Sequence, residues 1–196
     1  MFIFEIMYWG HESIKGLEAV KIKDFWQWTY SDMLINQNRD AFGLFLVANA
    51  LELTKMPRID WGKVDLRYRR KKVAVRSSGY IQSWKQKRPK RISFDISPKT
   101  GIDAKKEDSM TFRNREAELY VFAVLAEKDV KKVNVLDLDQ WNFYLVRAST
   151  LDEYFPKNRK LGMRALKQLA GPLHYGRVKE NIDILIDAEL TEKLIL

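Results

Sequence analysis

The sequence contains no cysteine and only two histidines, His11 and His174. The absence of cysteine excludes disulfide frameworks, thiolate zinc sites and thiol catalysis, and two separated histidines cannot build a dense imidazole metal site. Proline and glycine are sparse, at 5 and 9 residues, and no Pro/Gly-rich linker interrupts the chain. The longest nearly unbroken apolar run, residues 41–48, is far shorter than the roughly 18–20 residues of a membrane span.

Glycine-rich phosphate-binding motifs are also missing, since the sequence has neither G-x-x-x-x-G-K-[ST] nor G-x-G-x-x-G. No cofactor is therefore expected, except Mg²⁺ under the nuclease alternative given below. Residues 1–10 are apolar but carry Glu5, and they have neither a basic leader nor an A-x-A-like cleavage site. A secretory signal is thus not expected, and we predict a cytoplasmic protein without a membrane partner.

The length and composition predict one globular domain. The chain has 196 residues, of which 46% are hydrophobic and 31% are charged, so the apolar content is sufficient for a packed core. We predict a core over about residues 24–147 and a helical C-terminal part over about 148–196.

Positive charge is concentrated in one stretch. Of the 35 lysines and arginines, twelve lie in residues 63–91 with a single acid, Asp65, whereas the other 167 residues carry 23 cations and 25 acids. Such dense like charge is relieved by a polyanion, and nucleic acid is the commonest large one. The stretch predicts a nucleic-acid partner, and the simpler alternative is a solvated basic face. An anionic membrane is disfavoured because the stretch has the pattern of strands rather than of an amphipathic helix.

Helical patterns lie on both sides of this stretch. Asp24 is placed to cap a helix over 25–35, and Asn38 is placed to cap a second helix over about 39–53. Gly43 lies inside the second helix, where glycine costs about 1 kcal/mol relative to alanine, and this predicts a packing reason for it.

The C-terminal region has helical patterns of its own. Ser149 with Asp152, and Thr150 with Glu153, resemble capping boxes that open a short helix. Two further helices are predicted over residues 163–170 and about 175–190.

Between the helical regions the apolar period changes to two. Alternating runs predict a hairpin and a third strand, at residues 64–68, 73–76 and 92–96. The segment from Pro98 to Met110 is predicted to be a loop. Leu119–Ala126 is a continuous apolar run typical of a central strand buried on both faces, and Trp141–Val146 predicts a further strand. The order of elements favours the α/β class, with a mixed β-sheet covered by helices.

The basic stretch carries a specific string. Residues 64–84 read VDLRYRRKKVAVRSSGYIQSW, which resembles the core of the PD-(D/E)XK, restriction-endonuclease-like superfamily. It is most similar to a bacterial subfamily whose hairpin reads I-E-V-K-S-S-A-Y-L-Q-S-W. Three other segments resemble that subfamily in the same order: SDMLINQNRDAFGLFLVANAL at 31–51, AELYVFAVL at 117–125 and LDLDQWNFYLV at 136–146. The resemblance implies a three-layer core with a mixed β-sheet flanked by helices.

The family's chemistry, as the resemblance implies it, is metal-assisted phosphodiester hydrolysis, with two carboxylates holding Mg²⁺ beside a lysine. The strand-one aspartate is present as Asp65, and the glutamine is present as Gln82. The motif glutamate position holds Ala74, the motif lysine position holds Arg76, and a helix glutamate falls on Leu44.

These replacements change what the site can do. Alanine and leucine supply no metal ligand, and arginine keeps the positive charge but cannot act as a general base because its pKa exceeds about 12. The resemblance therefore implies a catalytically inactive relative. The candidate catalytic positions are Asp65, Arg76 and Gln82, and the candidate metal ligands are Asp65 and Glu118. Asp60 and Asp95 are further acids able to supply a relocated ligand, and Glu118 is also placed to pair with a basic residue of the hairpin.

The candidate nucleic-acid-binding residues are the cations of the stretch and the polar residues that follow the hairpin. They are Lys63, Arg67, Arg69, Arg70, Lys71, Lys72, Arg76, Ser77, Ser78, Tyr80, Lys85, Lys87, Arg88, Lys90 and Arg91. If six to ten of the cations contact phosphates, log affinity should fall with log salt with a slope of about −5 to −9.

Three hypotheses follow. The first is a DNA-binding protein on a nuclease-like scaffold that has lost its metal site. The second is an active Mg²⁺-dependent endonuclease with relocated ligands. The third is a protein-interaction module whose basic face binds an acidic protein. Under the third hypothesis, charge reversal at residues 69–72 is expected to abolish the complex and leave the fold intact.

Overall fold

The computed structural model describes residues 7–55, 58, 64–97, 99–102 and 111–195. The strands in those residues are β1 (Ser13–Ile14), β2 (Leu17–Lys21), β3 (Leu66–Tyr68), β4 (Lys71–Gly79), β5 (Ser93–Asp95), β6 (Lys99–Ile102), β7 (Thr111–Asn114), β8 (Leu119–Leu125), β9 (Trp141–Arg147) and β10 (Lys160–Gly162). The helices are α1 (Ile22–Tyr30), α2 (Asn36–Ala50), α3 (Ala148–Tyr154), α4 (Met163–Leu169) and α5 (Val178–Ile195). Short 3₁₀ turns occupy Leu138–Gln140 and Tyr175–Arg177.

A mixed four-stranded sheet in the order β3-β4-β8-β9 forms the centre of the fold. Strands β3 and β4 are antiparallel, β4 and β8 are parallel with Val73 opposite Leu119, and β8 and β9 are antiparallel. All seven residues of β8 are buried, as a strand covered on both faces requires. The prediction of a mixed α/β sheet with a central strand at this position is confirmed.

Each face of the sheet is covered by a separate apolar layer. Val73, Val75 and Val121 pack with residues of α2 and α5 on one face. Ala74 and Phe122 pack with β5, β10, α3 and α4 on the other. Side chains of successive strand residues point to opposite faces, so β4 contributes to both layers. The sheet is therefore flanked by helices on both sides.

The first two helices start earlier than predicted. Asp24 is the third residue of α1 rather than its cap, and its carboxylate accepts the backbone N–H of Lys21 at 2.7 Å. The helix ends at Tyr30 because the next residues form an Asx turn, in which the Asp32 carboxylate accepts the Leu34 N–H at 3.0 Å. Asn38 lies within α2, and its amide donates to the Asp32 carbonyl at 2.9 Å, so it is not the cap.

The predicted capping boxes near residue 150 are also wrong. Ser149 and Thr150 lie inside α3, whose N-cap is Arg147 without a side-chain cap bond. Asp152 instead forms an ion pair with Arg115, whose side chain is completely buried. A buried guanidinium needs a carboxylate partner more than the exposed start of a short helix does, and the sequence spacing does not reveal this long-range demand.

Of two segments beside the central sheet, one matches its prediction and one does not. The third predicted strand forms as β5, and it pairs with β10 through Phe94 opposite Leu161. The segment predicted to be a loop, residues 98–110, contains β6, which pairs with β7 in an antiparallel ribbon. The glycine and lysine in β6 interrupt the alternation that signals a strand.

Gly43 has the packing reason that the sequence predicts. A Cβ atom at this position would lie 2.8 Å from Cβ and 2.9 Å from Oγ of Ser77. Helix α2 therefore contacts β4 closely at this point, which brings the middle of the helix against the C-terminal half of the strand.

Helix α1 buries none of its residues, and Trp28 is 85% exposed. None of the helices in the described ranges combines the length and the apolar character needed to cross a membrane.

Candidate functional site

A groove of about 540 Å³ lies along the open edge of β4, between the N-terminal half of α2 and strand β5. Strand β3 pairs with Lys71, Lys72 and Val73, and among the described residues no other strand adjoins β4 on this side beyond Val73. The groove occupies that side of the strand, and its lining includes Asp65, Arg76 and Leu44. Three of the motif positions singled out in the sequence therefore meet in one cavity.

The Asp65 side chain binds the edge of β4 at a position where a neighbouring strand would otherwise accept a hydrogen bond. Its Oδ2 accepts the backbone N–H of Val75 at 2.8 Å and also accepts Nη1 of Arg76 at 2.8 Å. The Arg76 guanidinium also donates to two carbonyls, those of Val75 at 2.8 Å and Asp95 at 3.3 Å. The Arg76 cation thus lies between Asp65 and β5, directly beside the carboxylate that would hold a metal ion in the family arrangement.

The other motif positions do not supply reactive groups. Ala74 is 4% exposed and packs with Phe94, Tyr120 and Phe122 in the core. Gln82, a candidate catalytic position, is 3% exposed, and its amide donates to the Gly79 carbonyl at 2.8 Å. It does not line the groove, and it supports the chain after β4 from inside.

Among the other predicted acids, Asp95 lies in the groove and Glu118 does not. Asp95 points away from the buried Phe94, as predicted, and hydrogen bonds from Ser97 hold the pKa of its carboxyl below the usual range. Glu118 accepts Nζ of Lys71 at 3.1 Å and the backbone N–H of Lys72 at 2.9 Å. It lies at the start of β4, about 10 Å along the strand from the groove. Asp60 lies outside the described residues.

The metal-ligand prediction does not fit the geometry of the described part of the chain. No three Asp, Glu or His side chains there form a group that could hold a metal ion. Mg²⁺ needs near-octahedral oxygen ligands, whereas Asp65 uses one oxygen for two hydrogen bonds to protein and Glu118 is bound to the hairpin.

Asp40 is the groove residue that sequence reasoning missed. It lies on α2 one helical turn before Leu44, and both line the groove. The groove walls displace water from its carboxyl and raise its pKa to about 6, although Arg39, Lys90 and Arg76 oppose the shift. The sequence does contain a signal for Asp40. It lies four residues before Leu44, and residues at this spacing share one face of a helix.

The raised pKa of Asp40 predicts a pH-dependent stability. The folded protein binds this proton more tightly than the unfolded chain, whose pKa is near 3.8. The free energy of unfolding should therefore fall as pH rises from about 4 to about 6, and stay lowered above that. Asp40→Asn should raise the unfolding free energy by about 1 kcal/mol at pH 7.5, since residual solvent contact weakens the effect, and by nothing at pH 4. Urea unfolding of both proteins at the two pH values measures this, and an equal difference at both would contradict it.

The turn of the β3–β4 hairpin is bound to its own chain. Arg69 and Arg70 both have positive φ, 46° and 66°, as in the type I′ hairpin turns that glycine and asparagine favour. The Arg69 guanidinium donates to Asp183 at 3.1 Å and to Asp187 at 2.7 Å on α5. These contacts offset the backbone strain, and they neutralise Arg69.

The hairpin is therefore a poorer nucleic-acid surface than its sequence predicts. Arg69 and Lys71 both hold acids of the same chain. Charge reversal at residues 69–72 would break these ion pairs, so we expect it to lower the stability of the fold as well as to change the surface. Arg67 lies opposite Lys72 across the hairpin, and neither lines the groove, nor does Arg70. Lys63 lies outside the described residues.

A second group of cations is exposed. The basic loop, defined here as residues 83–91, follows β4 and presents Lys85, Lys87, Arg88 and Arg91 to solvent. None of these four forms an ion pair with any described residue. Trp84 in the same loop is 54% exposed.

The basic loop leads directly into the groove. Lys90 lines the groove, and its backbone N–H donates to the Tyr80 carbonyl at 2.8 Å. Tyr80 is half-buried, with Nζ of Lys128 4.9 Å from the centre of its ring. The N–H of Gln82 donates to the side chain of Gln86 at 2.7 Å, which fixes the loop against the end of β4.

Two serines complete the floor of the groove. Ser77 and Ser78 both line it. Ser77 donates to the Arg39 carbonyl at 3.4 Å, and Ser78 is 3% exposed. The groove thus combines cations, hydroxyl groups and three aspartates, and it continues into an exposed basic loop. Comparison of the chain with protein families, with curated proteins and with solved structures finds no match to any of them.

Proposed function

We propose that this protein binds nucleic acid, most favourably duplex DNA, through the groove and the basic loop, and that it does not cleave it. The observation that carries the proposal is the position of Lys90, which lines the groove and belongs to the basic loop. The exposed cations of the loop therefore continue into a cavity that also contains Arg76. A continuous strip of positive charge matches a row of backbone phosphates.

The polar contacts of Arg76 support binding without hydrolysis. Its guanidinium neutralises Asp65 at 2.8 Å, and arginine cannot accept a proton from water. With Ala74 in the core, leucine at position 44 and arginine at position 76, the motif positions lack the second carboxylate and the lysine of the restriction-endonuclease-like site. A scaffold of that fold that keeps its phosphate contacts without its metal ligands accounts for both the mixed sheet and these replacements.

The salt dependence of DNA binding tests the proposal. Because Arg69 and Lys71 are held by acids of the same chain, we expect four to six phosphate contacts rather than six to ten. The slope of log affinity against log salt should then be about −4 to −5. Fluorescence anisotropy with a labelled duplex at several salt concentrations measures it, and a flat response would remove nucleic acid as the partner.

A second candidate is a Mg²⁺-dependent endonuclease with relocated ligands, and the presence of Asp40, Asp65 and Asp95 in one groove favours it. Incubation of supercoiled plasmid with Mg²⁺ or Mn²⁺ distinguishes the two. We expect no nicking above a mock preparation. Nicking that Asp65→Ala abolishes would replace the proposal of a non-cleaving protein.

A further inference from the structure

Arg39 is a buried cation that forms no ion pair with any described residue, and the nearby charge of Asp40 compensates it only in part. Arg39 is one of the residues that line the groove, and it is 1% exposed. The guanidinium donates to the carbonyls of Leu34 at 3.3 Å and Ile81 at 3.5 Å, and to Oδ1 of Asn36. Its Nε has no partner among the described residues. All of its acceptors are neutral groups.

This arrangement leaves the Arg39 charge only partly compensated. Burial lowers the pKa of the Arg39 guanidinium, and the charge of Asp40 opposes that shift. Arginine remains protonated nonetheless. A buried charge that lacks a hydrogen-bonded partner of opposite sign destabilises a fold, so an anion in the groove would stabilise the protein.

The start of α2 adds a second attraction for an anion at the same place. The helix begins at Asn36, its N-cap is Ile35, and no side chain caps its first amide groups. Asn36 and Gln37 line the groove together with Arg39. Free N–H groups at the start of a 15-residue helix point toward the ligand and carry the positive end of its dipole.

We propose that one phosphate group binds in the groove at the N-terminal end of α2, where it compensates Arg39. Lys90 and Arg76 line the same cavity and add positive charge. The inference rests on the proposed function only for the molecule to which the phosphate belongs. In nucleic acid the group would be either a phosphodiester of the backbone or a terminal phosphate monoester. The site lies at the start of α2, in the same groove as Asp65, Arg76 and Leu44.

The variant Asn36→Asp tests the site without removing Arg39. The two side chains have the same shape, and the new carboxylate would pair with the guanidinium that Asn36 already accepts. It also lies in the first turn of α2, where an acid stabilises a helix. The variant should therefore fold at least as stably as the parent protein while its carboxylate repels phosphate. Asn181→Asp is the matched control, because it makes the same charge change in the first turns of α5, outside the groove.

Titration calorimetry with inorganic phosphate at constant ionic strength gives the readout. We expect saturable binding to the parent protein and to Asn181→Asp, with a dissociation constant on the order of 1 mM. Asn36→Asp should bind at least tenfold more weakly. No saturable binding to the parent protein, or equal binding to all three proteins, would overturn the site. Chloride at the same ionic strength controls for screening.

DNA binding in parallel identifies the source of the phosphate and separates the two proposals. A short duplex with 5′-phosphates that binds about tenfold more tightly than its 5′-hydroxyl form indicates a terminal phosphate, and equal binding indicates the backbone. Absence of saturable phosphate binding to the parent protein, with its salt-dependent DNA binding intact, overturns the site alone. Phosphate binding without DNA binding overturns the proposed function and leaves the site.

Discussion

Charge reversal at Lys87 and Arg88 is expected to weaken binding to duplex DNA by about 100-fold at about 50 mM salt. Each phosphate contact contributes roughly tenfold at that salt concentration through counterion release, and both side chains are exposed and form no ion pair with the described residues. Anisotropy titration of the double variant K87E/R88E measures the change. Its folding should be unaffected, because the basic loop is fixed by backbone and glutamine contacts rather than by these cations.

The hairpin supplies a matched control for this variant. Arg67→Glu with Arg70→Glu changes the net charge by the same amount, and both side chains are exposed. Arg67 lies opposite Lys72, about 10 Å along β4 from the groove, and Arg70 lies in the turn, about 17 Å from it. We expect less than about a threefold change in affinity from long-range attraction alone. Equal losses in the two double variants would show that binding follows the net charge of the protein and not the groove and loop.

Gly43→Ala is expected to lower the free energy of unfolding by about 2–3 kcal/mol, although alanine has the higher helix propensity. The added methyl group would lie 2.8 Å from Cβ of Ser77, so α2 and β4 must move apart. Urea unfolding measures the change. Gly171→Ala serves as the control, since a Cβ there meets no atom within 4 Å, and it should change stability by less than about 0.5 kcal/mol.

A second substitution separates the close contact from other effects at position 43. In the double variant Gly43→Ala with Ser77→Gly, the two atoms that collide are no longer both present. Gly43→Ala should lower the free energy of unfolding much less in the Ser77→Gly protein than in the parent protein. The difference between the two losses, which is the coupling energy, should exceed about 1 kcal/mol. Additive losses would mean that the tight approach does not limit the packing of α2.

The sequence predicts the central strand of this fold better than it predicts the ends of the helices. Residues 119–126 are so uniformly apolar that only a strand covered on both faces accommodates them, and β8 is that strand. The cap of α1 is harder to place, because an aspartate bonds equally well from the cap or from the third helical residue. Asp24 is the third helical residue. The helix therefore starts earlier than predicted, although its sequence pattern is the same.

The candidate site also has parts that the sequence predicts and parts that depend on distant residues. The register of the hairpin and the helix brings Asp65, Arg76 and Leu44 together in the groove, as the motif spacing predicts. The neutralisation of Arg69 depends on Asp183 and Asp187, more than a hundred residues away along the chain. Local charge counting contains no information about such partners, so it overstates the basic surface of the hairpin. The burial of Gln82 likewise depends on how the chain folds back after β4.

The contact between Asp65 and the N–H of Val75 has a consequence for self-association. A strand with unpaired amide groups along one margin is a template on which another copy of the chain can add a strand. Here a carboxylate fills the first vacant ladder position, and a charged arginine lies beside it. An incoming strand would have to displace an ion pair to extend the sheet, so this margin is protected against aggregation by the same two residues that define the groove.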